Sequence, residues 1–145
     1  MIAREQPFLV VGCPPCTIFS AIQTLNRRKR DAGEYSRLLA EARVLLGFAT
    51  EVYRAQLRAG RRFLHEHPAT ATSWTEPTIQ RLRADDRVLE VVGDQCRYGL
   101  RTRGPGGALA PARKPTRFLS SSPAILDRLS LRCRGAHLHQ PLLGS

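Results

Sequence analysis

Residues 12–16, which read Gly-Cys-Pro-Pro-Cys, have the clearest potential for chemistry in this chain. They directly follow an apolar run at residues 8–11, Phe-Leu-Val-Val. This run predicts a buried strand, and the glycine and prolines predict a rigid loop at its carboxyl end. In α/β sheets, ligands and reactive side chains gather at the carboxyl ends of strands. The thiol of Cys16 is therefore a candidate nucleophile.

A second reactive group, Glu66, stands in a Glu-His-Pro sequence at the end of the next predicted strand, residues 63–67. If the two strands are parallel neighbours, their loops meet at one edge of the sheet. Cys16 and Glu66 would then lie together although they are far apart in the sequence. Two plainer alternatives are a Cys16 buried as a small apolar residue and a Glu66 that pairs with Arg61 or Arg62.

The two cysteines of the loop, Cys13 and Cys16, also form a Cys-x-x-Cys motif after a strand. This pattern is typical of thioredoxin-like oxidoreductases, in which the first thiol has a lowered pKa. Such folds also need a strand and a helix ahead of the motif and a cis-proline loop. Only Pro68 or Pro77 could supply that loop, so the redox function is the alternative rather than the main hypothesis.

Other residues of metal-ligating types lie near the carboxyl terminus. Cys133, His137 and His139 follow one another at short spacing, and Cys96 could supply a fourth ligand. The spacing matches no common zinc finger, so we predict a solvent-exposed tail without a metal and keep a zinc site as the alternative. The histidines beside Glu66 are likewise not predicted as ligands, and we expect one of them to face solvent.

The elements that must position these residues alternate between strands and helices. The periodicity predicts strands at residues 8–11, 63–67, 88–92 and 116–120, and helices at 17–25, 35–59, 76–86 and 123–132. A Gly/Pro/Arg-rich stretch, residues 101–115, predicts a flexible loop. We therefore expect one α/β domain over residues 1–145, with a mostly parallel sheet flanked by helices.

The charge of the chain indicates a polyanionic partner. The net charge is +11, and lysine contributes only at Lys29 and Lys114. Arginine suits phosphates and guanine edges, so DNA or another nucleic acid is the simplest partner, although a biased base composition of the gene would have the same effect. The predicted contacts are Arg97, Arg101 and Arg103, with further arginines at residues 27–30. Trp74 could stack on a base or pack beneath a helix.

The cysteines and the hydropathy pattern bear on the compartment. The amino-terminal residues do not resemble a signal peptide, and no apolar run approaches the length of a membrane span. We therefore expect an intracellular protein with free cysteines and no membrane partner.

Several of these motifs together resemble DNA cytosine-5 methyltransferases. Residues 12–20 resemble the Pro-Cys-x-x-Phe-Ser loop of that family, and Glu66-His67-Pro68 resembles its Glu-Asn-Val motif. Tyr98-Gly99 and Lys114-Pro115-Thr116 resemble a downstream stretch of the phage members. Similar segments also occur in retroelement-like open reading frames. The resemblance covers most of the chain and implies a partial Rossmann-like methyltransferase fold.

The resemblance also implies roles for individual residues. Cys16 would add to carbon 6 of cytosine, and Glu66 would hold the N3 and amino groups of the ring. Pro15 would help to position the base, and Pro14 would lie toward the cofactor, S-adenosylmethionine. The target base would have to leave the duplex to reach this loop.

Three departures from the family pattern limit what the resemblance implies. Thr17 stands where the family usually has glutamine, and His67-Pro68 stand where it usually has Asn-Val. The family's amino-terminal half, with the Phe-x-Gly-x-Gly loop that binds S-adenosylmethionine, has no counterpart ahead of Phe8. We therefore expect the carboxyl-terminal part of a methyltransferase domain, inactive alone, whose first strand needs a missing half or a partner chain.

Overall fold

The described part of the chain folds as an α/β structure. The computed structural model describes residues 2–20, 32–104 and 106–142. Its helices are α1 (Ile2–Glu5), α2 (Ala32–Arg58), α3 (Pro77–Arg83) and α4 (Pro123–Leu129). Its strands are β1 (Leu9–Gly12), β2 (Arg62–Pro68), β3 (Leu89–Asp94), β4 (Arg101–Arg103), β5 (Leu109–Pro111) and β6 (Pro115–Ser120).

Four of the strands form the main sheet, in the order β1-β2-β6-β3. Strand β1 is parallel to β2, with Val10 opposite Phe63. Strand β6 lies between β2 and β3 and is antiparallel to both. The prediction of a mostly parallel sheet was therefore wrong, because only the β1–β2 pair is parallel. The connection from β3 to β6, residues 95–114, holds a 3-10 turn and the β4–β5 hairpin instead of the α-helix that usually makes a parallel crossover, and β6 returns antiparallel to β3.

The long helix α2 confirms the predicted helix and covers one face of the sheet. Its buried residues lie at helical spacing and include Ala42, Leu46 and Tyr53. Leu45, an apolar residue three positions after Ala42 and so at helical spacing from it, is instead 47% exposed. The helix ends at Arg58, and the positive φ of 67° at Gly60 lets the chain turn back toward β2.

The core on this face is formed by α2, α3 and the inward side of β2 and β6. Its members are the buried side chains Ile18, Phe19, Ala42, Leu46, Tyr53, Leu57, Phe63, Ala71, Trp74, Ile79, Leu82, Val88 and Leu119. Trp74 belongs to this core, and its indole N–H donates to the carbonyl of Pro68 at 2.7 Å. Of the two predictions for Trp74, packing is therefore confirmed.

The opposite face is covered unevenly. Helix α4 packs on β3 and β6, where Gly93 allows the close approach of the Leu129 carbonyl. Over β1 the cover is thin: Val11 is 57% exposed, and Phe8 just before the strand is 74% exposed. Within the described ranges, no strand pairs with the outer edge of β1. The first strand is therefore an open edge of the sheet.

Two predicted segments differ from the structure. The stretch at residues 101–115, predicted as a flexible loop, contains the antiparallel hairpin β4–β5, in which Thr102 pairs with Ala110. The last helix begins at Pro123 as predicted but ends at Leu129, and an irregular tail follows. The basic segment at residues 27–30 and most of the predicted helix at 17–25 lie outside the described residues. Among the described residues, no helix has the length and apolar character of a membrane span.

Candidate functional site

The predicted site residues lie at one edge of the main sheet. The carboxyl ends of β1, β2 and β3 meet the start of β6 at this edge, because β6 runs in the opposite direction. Gly12 is opposite His65, Pro68 is opposite Thr116, and Asp94 is opposite Pro115. The 12–16 loop and Glu66 therefore belong to one edge, as the sequence predicted.

Glu66 lies on the face of β2 away from the core. Its side chain is 21% exposed, and the Nζ of Lys114 is 4.0 Å from its Oε1. Neither Arg61 nor Arg62 is its partner among the described contacts, since Arg61 donates to Gln56 and Arg62 donates to a backbone carbonyl. Oε1 of Glu66 is buried and lacks a hydrogen-bond partner. A polar ligand at this point would satisfy it.

Cys13 is a loop thiol that interacts electrostatically with Glu66. Burial raises the pKa of the Cys13 thiol, and the carboxylate of Glu66 raises it further, while Lys114 lowers it. Cys16 also influences Cys13, so the two thiols and the carboxylate form one electrostatic group. The sequence pattern predicts Cys16 beside Glu66, whereas the interactions of Cys13 and Lys114 with Glu66 appear only in the structure.

Cys16 stands at the amino end of a short 3-10 turn, Thr17–Phe19. Its carbonyl accepts from the backbone N–H of Phe19 at 3.0 Å, and the buried Phe19 ring anchors the turn in the core. The side chain of Cys16 is half-buried, and the thiol is free. Cys16 is therefore neither a fully buried apolar residue nor a fully exposed one.

His67 connects β2 to the 12–16 loop. It is 1% exposed, its Nε2 donates to the carbonyl of Pro14 at 2.8 Å, and its Nδ1 is 2.7 Å from the Ser73 hydroxyl. The carbonyl can only accept, so Nε2 carries the hydrogen and Nδ1 accepts from serine. Burial lowers the pKa of His67, which keeps this ring neutral near pH 7. His67 thus fixes the loop to β2.

His65 is also buried, which corrects the prediction that one of the two histidines faces solvent. Alternate residues of a strand share a face, so His65 and His67 point to the core and Glu66 points away. Nδ1 of His65 is 3.1 Å from the Tyr53 hydroxyl, while its Nε2 has no partner. Burial lowers the pKa of His65 to about 3, and the neighbouring His67 adds to this shift. Side chains alternate between the two faces of a strand, so the sequence already indicated that His65 and His67 share one face of β2.

Tyr53 reaches the loop from α2 and was not predicted as part of the site. Its ring stacks on Phe63 with 4.7 Å between centroids. Burial raises the pKa of Tyr53, and the nearby Cys13 thiol raises it further. The hydroxyl of Tyr53 occupies the space where a Cβ would stand at Gly12. Gly12 is therefore needed for the close approach of Tyr53.

The predicted nucleic-acid contacts lie after β3. Arg97 is in the 3-10 turn Gln95–Tyr98, and Arg101 and Arg103 are in β4. All three side chains are exposed, and Arg101 and Arg103 share one side of the hairpin because they are two residues apart. Two other arginines, Arg113 and Arg132, form ion pairs with Asp94, which is fully buried at the end of β3. Positive charge thus extends from the edge of the sheet along the hairpin.

The tail predicted to be solvent-exposed and free of metal is not fully exposed. The side chains of Cys96, Cys133, His137 and His139 are half-buried, and their ligand atoms all lie within 4.8 Å of one another. Cys96 directly follows β3, whereas the other three belong to the tail. Their convergence depends on tertiary structure and could not be derived from the spacing alone.

The contact between Glu66 and Cys13 predicts a measurable change in thiol reactivity. In a Glu66→Gln variant, the pKa of Cys13 should fall because one of its raising influences, the carboxylate charge, is removed. A larger thiolate fraction near pH 8 should raise the rate of Cys13 alkylation by iodoacetamide about threefold to tenfold. Both cysteines lie in one tryptic peptide, residues 5–27, so fragmentation of that peptide by tandem mass spectrometry would measure Cys13 and Cys16 separately. If Cys13 in the variant is alkylated at the same rate as in wild type or more slowly, the interaction between Glu66 and Cys13 is contradicted.

Comparison with known proteins does not assign the chain to a family. No protein-family model matches it, and no curated protein sequence or solved structure matches it either. Function must therefore be argued from the site itself.

Proposed function

We propose that this chain is the catalytic-loop part of a DNA cytosine-5 methyltransferase-like domain, with a partial Rossmann-like fold. The observation that carries the proposal is the meeting of a Pro-Cys loop and Glu66 at the carboxyl edge of two parallel strands. That is where α/β folds bind their ligands. The buried, unpartnered Oε1 of Glu66 is suited to accept a hydrogen bond from a polar base.

In the proposed reaction, Cys16 loses its proton and its thiolate adds to carbon 6 of cytosine. The carbon 5–carbon 6 double bond opens, and its electrons make carbon 5 nucleophilic. Glu66 accepts a hydrogen bond from the amino group of the ring, and a proton taken up from solvent is shared between Glu66 and N3, which favours the addition. Lys114, 4.0 Å from Glu66, would balance the carboxylate or contact a phosphate. The rigid Pro14–Pro15 backbone, held by His67, would keep the thiol in place.

The described residues do not form a site for S-adenosylmethionine. The sequence has no Phe-x-Gly-x-Gly loop, and β1, beside which such a strand would lie, is an open edge within the described ranges. Val11 and Phe48, at this edge, are 57% and 66% exposed. We therefore propose no methyl-transfer step for this chain alone. A further polypeptide segment at this edge, for example from a partner chain, would cover these apolar side chains and supply that site.

Thiol addition can be tested without a methyl donor. Addition at carbon 6 lets carbon 5 gain a solvent proton, and reversal releases the original carbon 5 hydrogen. Single-stranded DNA with tritium at carbon 5 of cytosine should therefore release tritium to water in the presence of the protein. Single-stranded DNA also removes the cost of base flipping, a few kcal/mol. We expect slow release above background, which Cys16→Ser abolishes.

The matched control is Cys13→Ser, which removes the other thiol of the same loop and should retain the release. Release that depends on Cys13 instead, or that survives Cys16→Ser, would overturn the assignment of the nucleophile. Retained DNA binding without any release would favour a second candidate, a non-catalytic nucleic-acid-binding protein. The observation that favours it is the exposed positive charge of Arg97, Arg101 and Arg103. Its binding should weaken steeply with salt, without base preference.

A thioredoxin-like function is less well supported. Such enzymes lower the pKa of the first cysteine so that it reacts as a thiolate. Here burial and Glu66 raise the pKa of Cys13. The motif also follows the first strand of the sheet without the preceding helix and strand pair that a thioredoxin-like fold requires.

A further inference from the structure

Four metal-ligating side chains form a compact cluster at the end of β3, away from Cys16 and Glu66 in the sequence. The Sγ of Cys133 lies 3.7 Å from Nε2 of His137 and 3.4 Å from Nε2 of His139. The rings of these histidines are 4.6 Å apart at an interplanar angle of 71°. The ligand atom of Cys96 also lies within 4.8 Å of the other three.

These separations match those between the ligands of one tetrahedral ion. With Zn–S bonds of about 2.3 Å and Zn–N bonds of about 2.0 Å, tetrahedral geometry places sulfur and nitrogen ligands about 3.5 Å apart. The two distances from Cys133 to the histidines lie on either side of this value. The histidines present the same atom, Nε2, toward the sulfur. A single ion could therefore contact all of these atoms without a rearrangement of the backbone.

The backbone around Cys133 is held by contacts that orient its thiol. Its N–H donates to Oδ2 of the buried Asp94 at 2.7 Å, and Arg132 pairs with the same oxygen. The N–H of Gly135 donates to the Cys133 sulfur at 3.4 Å, and Gly135 has a positive φ of 77°. Such contacts from outside the ligand set orient the sulfur toward the position of a bound metal. Asp94 also fixes the end of β3, two residues before Cys96.

The tail has little apolar burial that could order it. Residues 130–142 contain no helix or strand, and Leu138 is 92% exposed. His137 and His139, on either side of Leu138, are half-buried and face the cluster. Fixing an irregular segment of this length carries a large entropic cost, against which the tail has backbone hydrogen bonds to Asp94 and Pro111. A bound metal would supply further stabilisation.

We propose that Cys96, Cys133, His137 and His139 bind one zinc ion and thereby fasten the carboxyl-terminal tail to the end of β3. A set of two thiolates and two imidazoles is the ligand type that zinc prefers. Four protein ligands leave no open position, so the ion is structural and takes no part in catalysis. The site stabilises the edge of the sheet that carries Glu66 and Lys114. It is independent of the proposed methyltransferase-like function.

The alternative is a metal-free cluster joined by thiol–imidazole hydrogen bonds. Distances of 3.4 and 3.7 Å also satisfy such bonds. Hydrogen bonding does not require a fourth group, whereas a tetrahedral ion does, and Cys96 provides it. The two possibilities differ in metal content, in spectra and in the effect of chelators on the tail.

The first experiment measures the metal of the full chain. The protein, purified without added metal and without a polyhistidine tag, should contain about one zinc per chain by elemental mass spectrometry. Replacement of zinc by Co²⁺ should produce intense visible bands of a tetrahedral site and a near-ultraviolet band from thiolate to cobalt. A weak, octahedral-type spectrum or a zinc content near zero after reconstitution with Zn²⁺ would overturn the proposal.

Variants locate the ion within the chain. Cys133→Ser and His139→Gln should each weaken zinc binding by more than about 100-fold, since even outer-shell changes cost 10- to 100-fold. The matched control is the double variant Cys13→Ser/Cys16→Ser, which removes two thiols outside the cluster. It should retain one zinc per chain and an unchanged cobalt spectrum. Loss of zinc in this control, with retention in Cys133→Ser, would place the ion at the 12–16 loop and overturn the proposal.

Proteolysis separates loss of the ion from loss of the fold. Arg134 lies within the proposed site, so zinc should slow tryptic cleavage after it at least tenfold, and a chelator should restore cleavage. Cleavage within α2 should stay slow under both conditions, which shows that the rest of the fold persists. Equal cleavage after Arg134 with and without zinc would show that the ion does not fasten the tail.

Discussion

Lowering the pH from 7 to 5 should reduce the free energy of unfolding by about 2 kcal/mol through His65 alone. Burial lowers the pKa of this ring to about 3 in the folded protein, against about 6.5 in an unfolded chain. At pH 5 the unfolded chain gains a proton on His65 that the folded protein does not accept. Each pH unit below 6.5 therefore favours unfolding by about 1.4 kcal/mol, until the folded ring titrates.

The sign of this effect follows from proton binding in the two states. Between about pH 6.5 and 3 the unfolded state binds more protons at His65, so stability rises with pH over that window. Burial also lowers the pKa of His67, which adds an effect of the same sign. Above pH 6.5 both rings are neutral in either state and contribute no slope.

Urea unfolding of wild type and of a His65→Gln variant, at pH 7 and pH 5, measures the contribution of His65. Glutamine can still accept from the Tyr53 hydroxyl but does not titrate. The variant should lose less stability than wild type over this pH range, by about 2 kcal/mol. Effects of other groups, including the metal ligands, cancel in this difference. Equal losses in both proteins would show that His65 is protonated in the folded state.

Gly12→Ala should destabilise the protein by about 3 kcal/mol, toward the upper end of ordinary overpacking costs. The new Cβ would overlap the Tyr53 hydroxyl and lie 2.8 Å from Cζ of the same ring. Tyr53 is 1% exposed and stacked on Phe63, so its ring has little room to move. Any movement would also break the contact between Tyr53 and His65.

Urea midpoints would measure this cost, and two further variants would test its origin. Gly47→Ala, in the middle of α2, adds the same methyl group where no atom lies within 4 Å. It should be neutral or stabilising by up to about 1 kcal/mol, because alanine favours helix. Tyr53→Phe combined with Gly12→Ala should recover part of the loss, since the worst overlap is with the hydroxyl. If the double variant loses as much stability as Gly12→Ala alone, the destabilisation does not come from overlap with the Tyr53 hydroxyl.

Together these residues explain why the candidate site depends on the core beneath it. Tyr53 joins α2 to His65, and His67 joins β2 to the carbonyl of Pro14. Burial lowers the pKa of both rings, so protonating them costs folding free energy, and acid should destabilise the core beneath the 12–16 loop. The chemistry proposed for Cys16 therefore requires a pH at which the histidines remain uncharged.

The local pattern of the sequence determined the elements that carry the site. An apolar run before Gly12 defined β1, and helical periodicity defined α2 and its end near Gly60. Pro77 and Pro123 marked the starts of α3 and α4, where a missing N–H costs nothing. These features depend on neighbouring residues in the chain, so they could be predicted without the fold.

Only the tertiary structure decided which of these elements and side chains meet. The position of β6 between β2 and β3 depends on the sum of many weak packing and hydrogen-bond terms, which no local pattern specifies. The same holds for Cys13 beside Glu66, and for Cys96 beside Cys133, which lies 37 positions later in the sequence. Residue types thus defined the chemistry that this chain offers, and long-range packing determined where each reactive group lies.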